Sequence, residues 1–116
     1  MEQNYHQTGG YTKVPNNIMR ALYRFRLNGT QFRTVMFVIR MTNGWNQENR
    51  IITYKVLAKE LNLDSRSVRR TIKTLIQSNV IIKQKYGRRN MWSVNQDNTT
   101  WRLLTKRNTK GTKESL

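Results

Sequence analysis

The chain has 116 residues, no cysteine, one histidine, and 22 Lys plus Arg against 6 Asp plus Glu, a formal net charge of +16. This length predicts a single domain, and the lack of cysteine excludes disulfides and thiolate metal sites. A lone His6 does not support a His-based triad or a zinc site, and the longest apolar run, Val35 to Ile39, is too short to span a membrane.

Two helices are predicted in the first half of the chain. Residues 1–10 are polar and predict a flexible N-terminus. The first helix begins at Pro15, whose missing N–H costs nothing in a first turn, and stops at Asn28 and Gly29. Thr30 is the predicted N-cap of a second, buried helix that ends before Gly44. Its apolar stripe comprises Phe32, Val35, Met36 and Ile39, widened by Phe37 and Val38.

A helix-turn-helix pattern follows a minor β-strand predicted at 50–52. Thr53 is the predicted N-cap of a short helix over 54–61, and residues 62–64 break that helix after two turns. Ser65 is the predicted cap of the next helix, which runs to about Asn79. Leu63 supplies the buried apolar residue that such a turn requires.

The helix that starts at Ser65 separates apolar and basic side chains onto opposite faces. On a period of 3.6 residues, Val68, Ile72 and Leu75 mark the buried face. The opposite face is basic, and no acidic residue of the helix offsets the repulsion between these charges. This pattern indicates an anionic partner. The alternative is a charged face that is simply exposed to solvent. Arginine can donate two parallel hydrogen bonds to guanine in the major groove. The predicted DNA-binding residues of this helix are Ser65, Arg66, Ser67, Arg69, Arg70, Lys73, Thr74 and Gln77.

After Val80 the hydrophobic period changes to two, which predicts a β-hairpin. One strand runs to Tyr86, residues 87–90 form the turn, and the second strand covers 91–95. A helix-turn-helix followed by a basic hairpin is the winged-helix arrangement, α+β and mainly helical. The hairpin, or wing, is predicted to contact DNA through Lys83, Lys85, Arg88 and Arg89. Protection of an exposed strand edge is the alternative for these residues.

The end of the chain predicts a docking segment and a basic tail. Trp101, Leu103 and Leu104 are expected to pack onto the domain, which would extend over residues 11–104. Residues 105–116 are rich in Lys, Thr, Asn and Gly, which is typical of disorder. The predicted phosphate contacts of this tail are Lys106, Arg107 and Lys110. The positive charge is concentrated in the second half of the chain, since residues 65–116 hold 13 basic and 2 acidic side chains.

Other functional classes have weaker support in the sequence. Trp45, Trp92 and Trp101 could stack on unpaired bases, but apolar neighbours favour core packing for the last two. Glu60 and Asp64 are spaced i,i+4, and we expect them to pair with Lys59, Arg66 or the N-terminus of the next helix rather than hold magnesium. The sequence contains no phosphate loop, nucleophile elbow or paired-carboxylate pattern. We therefore expect no enzymatic activity, no cofactor, no metal and no membrane partner.

Three stretches of sequence carry a resemblance to a known family. They read GYTKVPNNIMRAL, TNGWNQENRI and GRRNMWSVNQDNTTW, and they span about Gly10 to Trp101. Within them, residues 42–45 look like the T-x-G-W signature of the bacteriophage replication protein O family, and Asn95 and Trp101 are characteristic of it. The chain thus resembles the N-terminal domain of these phage origin-binding initiators.

The resemblance implies sequence-specific binding of double-stranded DNA at a phage or prophage replication origin, in the cytoplasm of a bacterial host. Family members have a C-terminal region that recruits the replicative helicase machinery. Because this chain stops at Leu116, we expect a helicase loader or another replication protein as a separate partner. Two alternative functions stay open, namely a phage transcriptional regulator and a basic interaction protein that docks an acidic host protein. The protein could also bind DNA as a homodimer.

Overall fold

The structure, a computed structural model, describes residues 10–42 and 50–102. Four helices and a three-stranded antiparallel sheet make the protein α+β and mainly helical, which confirms the predicted class. A helix-turn-helix followed by a hairpin gives the element order of a winged helix. The elements are α1 (Asn16–Arg24), α2 (Gly29–Thr42), β1 (Arg50–Ile51), α3 (Tyr54–Leu61), α4 (Ser65–Gln77), β2 (Ile81–Tyr86), β3 (Arg89–Val94) and a 3-10 turn (Asn98–Thr100).

Helix α2 is the buried helix of the domain, as predicted, but its buried face differs from the predicted stripe. Phe32 and Met36 are 40% and 38% exposed, whereas Val35, Val38 and Ile39 are almost fully buried. The reason is that α2 packs against β3, α3 and α4 at once. The buried arc is therefore centred near Val38, so that Phe32 lies just beyond its edge and Met36 on the opposite side of the helix.

Helix α2 also begins differently from the prediction, because Asn28 rather than Thr30 caps it. The Asn28 side-chain oxygen accepts a hydrogen bond from the Gln31 N–H at 2.8 Å, and the Gln31 side chain accepts one from the Asn28 N–H at 3.0 Å. This reciprocal pair satisfies two backbone donors at the helix start. Thr30 lies inside the helix, where its carbonyl accepts a hydrogen bond from the Thr34 hydroxyl.

The sheet has the strand order β1-β3-β2, and the central strand β3 anchors both neighbours. Trp92 on β3 is fully buried and donates its indole N–H to the Ile52 carbonyl at 2.8 Å. Arg50, paired with Trp92 across the sheet, donates to the Met41 carbonyl at the end of α2. These bonds tie the minor strand β1 to the core, which confirms the packing role predicted for Trp92.

The segment that closes the domain is held at the C-terminal end of α4. Asn79, two residues after the last residue of α4, has the left-handed conformation at φ 63°, which asparagine tolerates better than most residues. The Asn95 side chain donates to the Asn79 carbonyl and the Thr100 hydroxyl, both at 2.8 Å. Trp101 is buried, as predicted, and donates its indole N–H to the Asn95 carbonyl at 3.0 Å.

Several sequence predictions fall outside the described residues. They are the flexible N-terminus before Gly10, the tail over 105–116 with the domain boundary at 104, the docking residues Leu103 and Leu104, and both His6 and Trp45. Within the described ranges, the helices are too short and too polar for any of them to cross a membrane.

Candidate nucleic-acid interface

The position of α4 relative to α3 is set by hydrogen bonds and packing in the turn between the two helices. Thr53 caps α3 as predicted, accepting the Val56 N–H at 3.1 Å. Helix α3 ends at Asn62, which has a left-handed φ of 57°, and the next N–H, of Leu63, returns to the Ala58 carbonyl at 2.9 Å. The Leu63 side chain packs half-buried against the core, as expected for this turn. In addition, the Arg33 guanidinium of α2 donates to the Leu61 carbonyl at the C-terminal end of α3, where cations are favoured.

Asp64, and not Ser65, is the N-cap of α4. Its carboxylate accepts the Ser67 N–H at 3.1 Å and the Ser67 hydroxyl at 2.6 Å. Asp64 has the extended backbone of an N-cap, φ −77° and ψ 162°, whereas Ser65 is already helical. The hydrogen bonds from the Ser67 side chain and backbone lower the pKa of Asp64. Since the Ser67 hydroxyl donates to Asp64, Ser65 is the more available of the two serines for a phosphate.

The two faces of α4 are separated as the sequence predicted. Val68, Ile72 and Leu75 are each about 1% exposed and face the core. Most of the predicted DNA-binding residues are exposed, while Ser67 and Thr74 are half-buried. The exposed members of the set are Ser65, Arg66, Arg69, Arg70, Lys73 and Gln77. This arrangement leaves one flank of α4 free to bring guanidinium and ammonium groups against an anionic surface.

Arg69 has a fixed position that the sequence did not predict. Its guanidinium carbon lies 4.3 Å from the centre of the Tyr54 ring on α3. That ring in turn meets the buried Trp92 edge-on, with the ring centres 5.8 Å apart. A guanidinium stacked on a ring keeps its N–H edges available for hydrogen bonds. Tyr54 is therefore a positioning residue that sequence reasoning missed, since nothing in the local pattern links it to Arg69.

The wing has a tighter turn than predicted. Tyr86 pairs with Arg89, so the connection has only two residues, Gly87 and Arg88, and Arg89 belongs to β3 rather than to the turn. Gly87 has a φ of +65°, the positive value required at the first central position of a type II′ hairpin turn. The predicted turn over 87–90 is too long, because the positive φ of Gly87 permits a two-residue turn whose geometry matches the twist of the strands.

The four basic residues of the wing are all exposed, but they do not share one face. Lys83 and Lys85 alternate with Ile82, so they lie on the same side of the sheet as the buried Ile81. The helices pack on that side, and α4 contacts β2. Arg88 lies in the turn, and Arg89 lies on the opposite side of the sheet. The structure thus brings the two lysines, but not Arg89, to the side of the sheet that carries α4.

Two acidic side chains of residues 10–42 and 50–102 serve as caps of helical turns. Asp64 caps α4, and Asp97 caps the 3-10 turn by accepting the Thr99 N–H at 3.3 Å. The described part of the chain contains no cluster of three or more His, Cys, Asp or Glu that could hold a metal ion. The predicted tail contacts lie beyond the described residues and comprise Lys106, Arg107 and Lys110.

Comparisons with known proteins identify similar sequences. A family model described as bacteriophage replication protein O matches residues 4–101. The chain is also similar to Replication protein 15 of Enterobacteria phage phi80, with 34% identity over 96 residues. The aligned part covers 83% of this chain and 32% of the phi80 protein, so the chain spans about a third of the length of that relative. No solved structure matches the chain.

Proposed function

The chain belongs to the bacteriophage replication protein O family, and given that membership we propose that it binds double-stranded DNA sequence-specifically at a phage or prophage replication origin. Membership of the family gives the chain a role in phage replication. The observation that carries the proposal is the exposed basic face of α4, which stands beside the basic wing in a winged-helix arrangement. The proposed role is that of a binding protein and involves no catalytic step or cofactor.

Helix α4 supplies the contacts that read the bases. Arg66, Arg70, Lys73 and Gln77 recur at intervals of four, three and four residues and therefore form a single stripe along the helix. The major groove is wide enough to admit an α-helix, and the N-terminal half of a recognition helix usually contacts the base edges. We assign Arg66 and Arg70 to base contacts, because arginine can bind guanine in a bidentate manner and both lie in this half.

Phosphate contacts then fall to the flanks of the stripe. Arg69 is stacked toward α3, the helix that crosses the DNA backbone in helix-turn-helix proteins. Lys83 and Lys85 of the wing lie on the side of the sheet that carries α4 and reach the neighbouring backbone, with Arg88 at the turn. Phosphate contacts position a protein on the duplex, while base contacts give it specificity. The tail over 105–116 adds general electrostatic affinity, and a helicase loader or another replication protein is the proposed protein partner.

The decisive experiment is a selection from random DNA duplexes followed by a search of the phage genome for the recovered site. We expect a single preferred sequence that maps to a replication origin and is bound by the wild-type protein at physiological salt. The matched variants are Arg70→Ala on the α4 stripe and Arg26→Ala in the connection between α1 and α2, which remove the same charge from different surfaces. Loss of the preference in Arg70→Ala alone supports the proposal.

Two results would contradict this proposal. A preferred site that maps to a promoter would indicate a transcriptional regulator that uses the same surface. Absence of any preferred sequence, together with equal effects of Arg70→Ala and Arg26→Ala, would show that the basic face of α4 is not a DNA-reading surface.

A further inference from the structure

A cleft of about 260 Å³ opens between α1 and the 3-10 turn, and we call it the α1 cleft. Its floor is apolar and consists of Ala21, Phe25 and Trp101. Phe25 and Trp101 meet edge-on with their ring centres 5.6 Å apart. The cleft is smaller than typical small-molecule pockets, which run from roughly 300 to 1,000 Å³. A single apolar side chain from another molecule therefore matches its floor better than a whole cofactor does.

The rim of the α1 cleft is basic. Arg20 and Arg24 are exposed and lie one helical turn apart on α1. The sequence has no Asp or Glu between residues 3 and 47, so the stretch that includes α1 supplies no compensating charge. Asp97, next to the cleft residue Asn98, uses its carboxylate to accept hydrogen bonds from the Thr99 N–H and hydroxyl. Two arginines at this spacing suit a ligand that carries carboxylates or phosphates.

The α1 cleft is remote from the N-terminal end of α4 and from the wing turn. The 3-10 turn beside it is fixed to the C-terminal end of α4, where the Asn79 side chain donates to the Thr100 carbonyl at 3.1 Å. Helix α4 has 13 residues, so its N-terminal end lies about 20 Å away at 1.5 Å per residue. The wing turn is separated from the 3-10 turn by the six residues of β3, also about 20 Å at 3.3 Å per residue. A ligand in the cleft therefore leaves the N-terminal end of α4 and the wing turn accessible to DNA.

The aromatic floor distinguishes between a nucleic acid and a peptide as that ligand. Stacking of an unpaired base needs an open ring face. Trp101 is only 7% exposed, and its indole N–H is already bonded to the Asn95 carbonyl. Phe25 is half-buried, and one side of its ring is taken up by the T-shaped contact with Trp101. The floor thus offers apolar contact rather than a stacking platform, and this favours a peptide over an unpaired nucleotide.

We propose that the α1 cleft binds a short acidic segment of a partner protein, with one apolar side chain over Phe25 and Trp101 and carboxylates on Arg20 and Arg24. The charge complementarity of the rim and the size of the floor both fit this partner. The site is independent of the DNA-binding proposal, because its residues lie outside α4 and the wing. It would let the protein hold a second macromolecule on a surface separate from the N-terminal end of α4 and from the wing turn.

The test is a selection of peptides from a random display library against the full chain, followed by titration of the best synthetic peptide. We expect the selected peptides to contain Asp or Glu around one apolar residue and to shift the indole N–H signal of Trp101 in NMR spectra. The double variant Arg20→Gln/Arg24→Gln should weaken this peptide at least tenfold and leave duplex DNA affinity within about twofold. Arg26→Gln removes a nearby charge outside the cleft and should change neither.

Other outcomes of the same titrations would overturn the proposal. These are selection of neutral peptides, equal binding by the double variant, or a shift of the Trp101 signal by the oligonucleotide dT12 but not by acidic peptides. A shift of that signal in Glu2→Gln or Glu114→Gln without any peptide would instead show that the chain fills its own cleft. If the wild-type protein binds the acidic peptide but does not bind duplex DNA, the DNA proposal is contradicted and the peptide proposal is not.

Discussion

Replacing Tyr54 tests whether α4 presents Arg69 to DNA in a fixed position. The guanidinium lies 4.3 Å from the ring centre, and the ring is braced by the buried Trp92. A cation–π contact at an exposed site contributes about 0.5–1 kcal/mol. If that energy holds Arg69 where a phosphate needs it, its loss lowers duplex affinity by about two- to fivefold. Tyr54→Leu removes the ring and keeps an apolar side chain, whereas Tyr54→Phe keeps the ring.

The assay is fluorescence anisotropy with the selected duplex and with a random duplex at one fixed salt concentration. We expect Tyr54→Leu to weaken both duplexes to a similar extent, because a phosphate contact carries no sequence information. Tyr54→Phe should bind like the wild type. In a double-mutant cycle, Arg69→Ala should abolish the effect of Tyr54→Leu, since the two residues act through one contact. Thermal unfolding of each variant shows whether a loss of affinity reflects a loss of folded protein.

Three results would refute this reasoning. Unchanged affinity in Tyr54→Leu would mean that Arg69 reaches its contact without the ring. Equal losses in Tyr54→Phe and Tyr54→Leu would assign the effect to the phenol hydroxyl. Additive effects of the Tyr54 and Arg69 substitutions would show that the two side chains act separately.

Four further predictions address other parts of the chain. Arg70→Ala should cost about 1–3 kcal/mol on the selected site and less on random duplex; equal losses would make Arg70 a phosphate contact. Because the pKa of Asp64 is lowered in the folded state, its carboxylate stabilises the fold above the unfolded-state pKa and stops doing so as pH falls through the lowered value. The melting temperatures of wild type and Asp64→Ala should therefore converge in acid, and a difference that persists at low pH would count against the cap. Asn95→Ala removes three hydrogen bonds that hold the closing segment and should cost about 1–3 kcal/mol of unfolding free energy, whereas an unchanged denaturant midpoint would show that the bonds are dispensable. Deletion of residues 106–116 should reduce the salt dependence of DNA binding by up to about 0.9 in log-log slope per lost contact, and an unchanged slope would leave the tail without a role.

The sequence predicted elements well where several local signals agreed. Helix α3 has the predicted bounds, because Thr53 caps its start and residues 62–64 stop it. The N-caps of α2 and α4 lie one or two residues before the predicted ones, because a nearby residue in each case has a side chain that can also cap a helix. Asn28 and Thr30 can both accept a backbone N–H, as can Asp64 and Ser65, and only the backbone angles decide which one is extended.

The candidate site was predictable as far as it depends on periodicity. The basic face of α4 follows from its 3.6-residue pattern, and the lysines of the wing follow from alternation. Contacts between residues that are far apart in the sequence do not produce a periodic pattern and could not be predicted in this way. Tyr54 meets Arg69 across the turn, and the α1 cleft requires Phe25 and Trp101 to come together from opposite ends of the domain. Such pairings are properties of the tertiary fold and are not encoded in any local window.

The bonds between α1 and the 3-10 turn also set the order in which the domain can be completed during synthesis. The Asn17 side chain donates to the Gln96 carbonyl, and the Asn98 side chain donates to the Asn17 carbonyl, across 79 and 81 positions. The helix-turn-helix is built from contacts that are close in sequence and can form while the chain is still being made. Helix α1, however, cannot form its hydrogen bonds to residues 96 and 98 until that part of the chain has been made. A nascent chain whose Trp101 has not yet emerged from the ribosome can therefore form its helix-turn-helix before its core is complete.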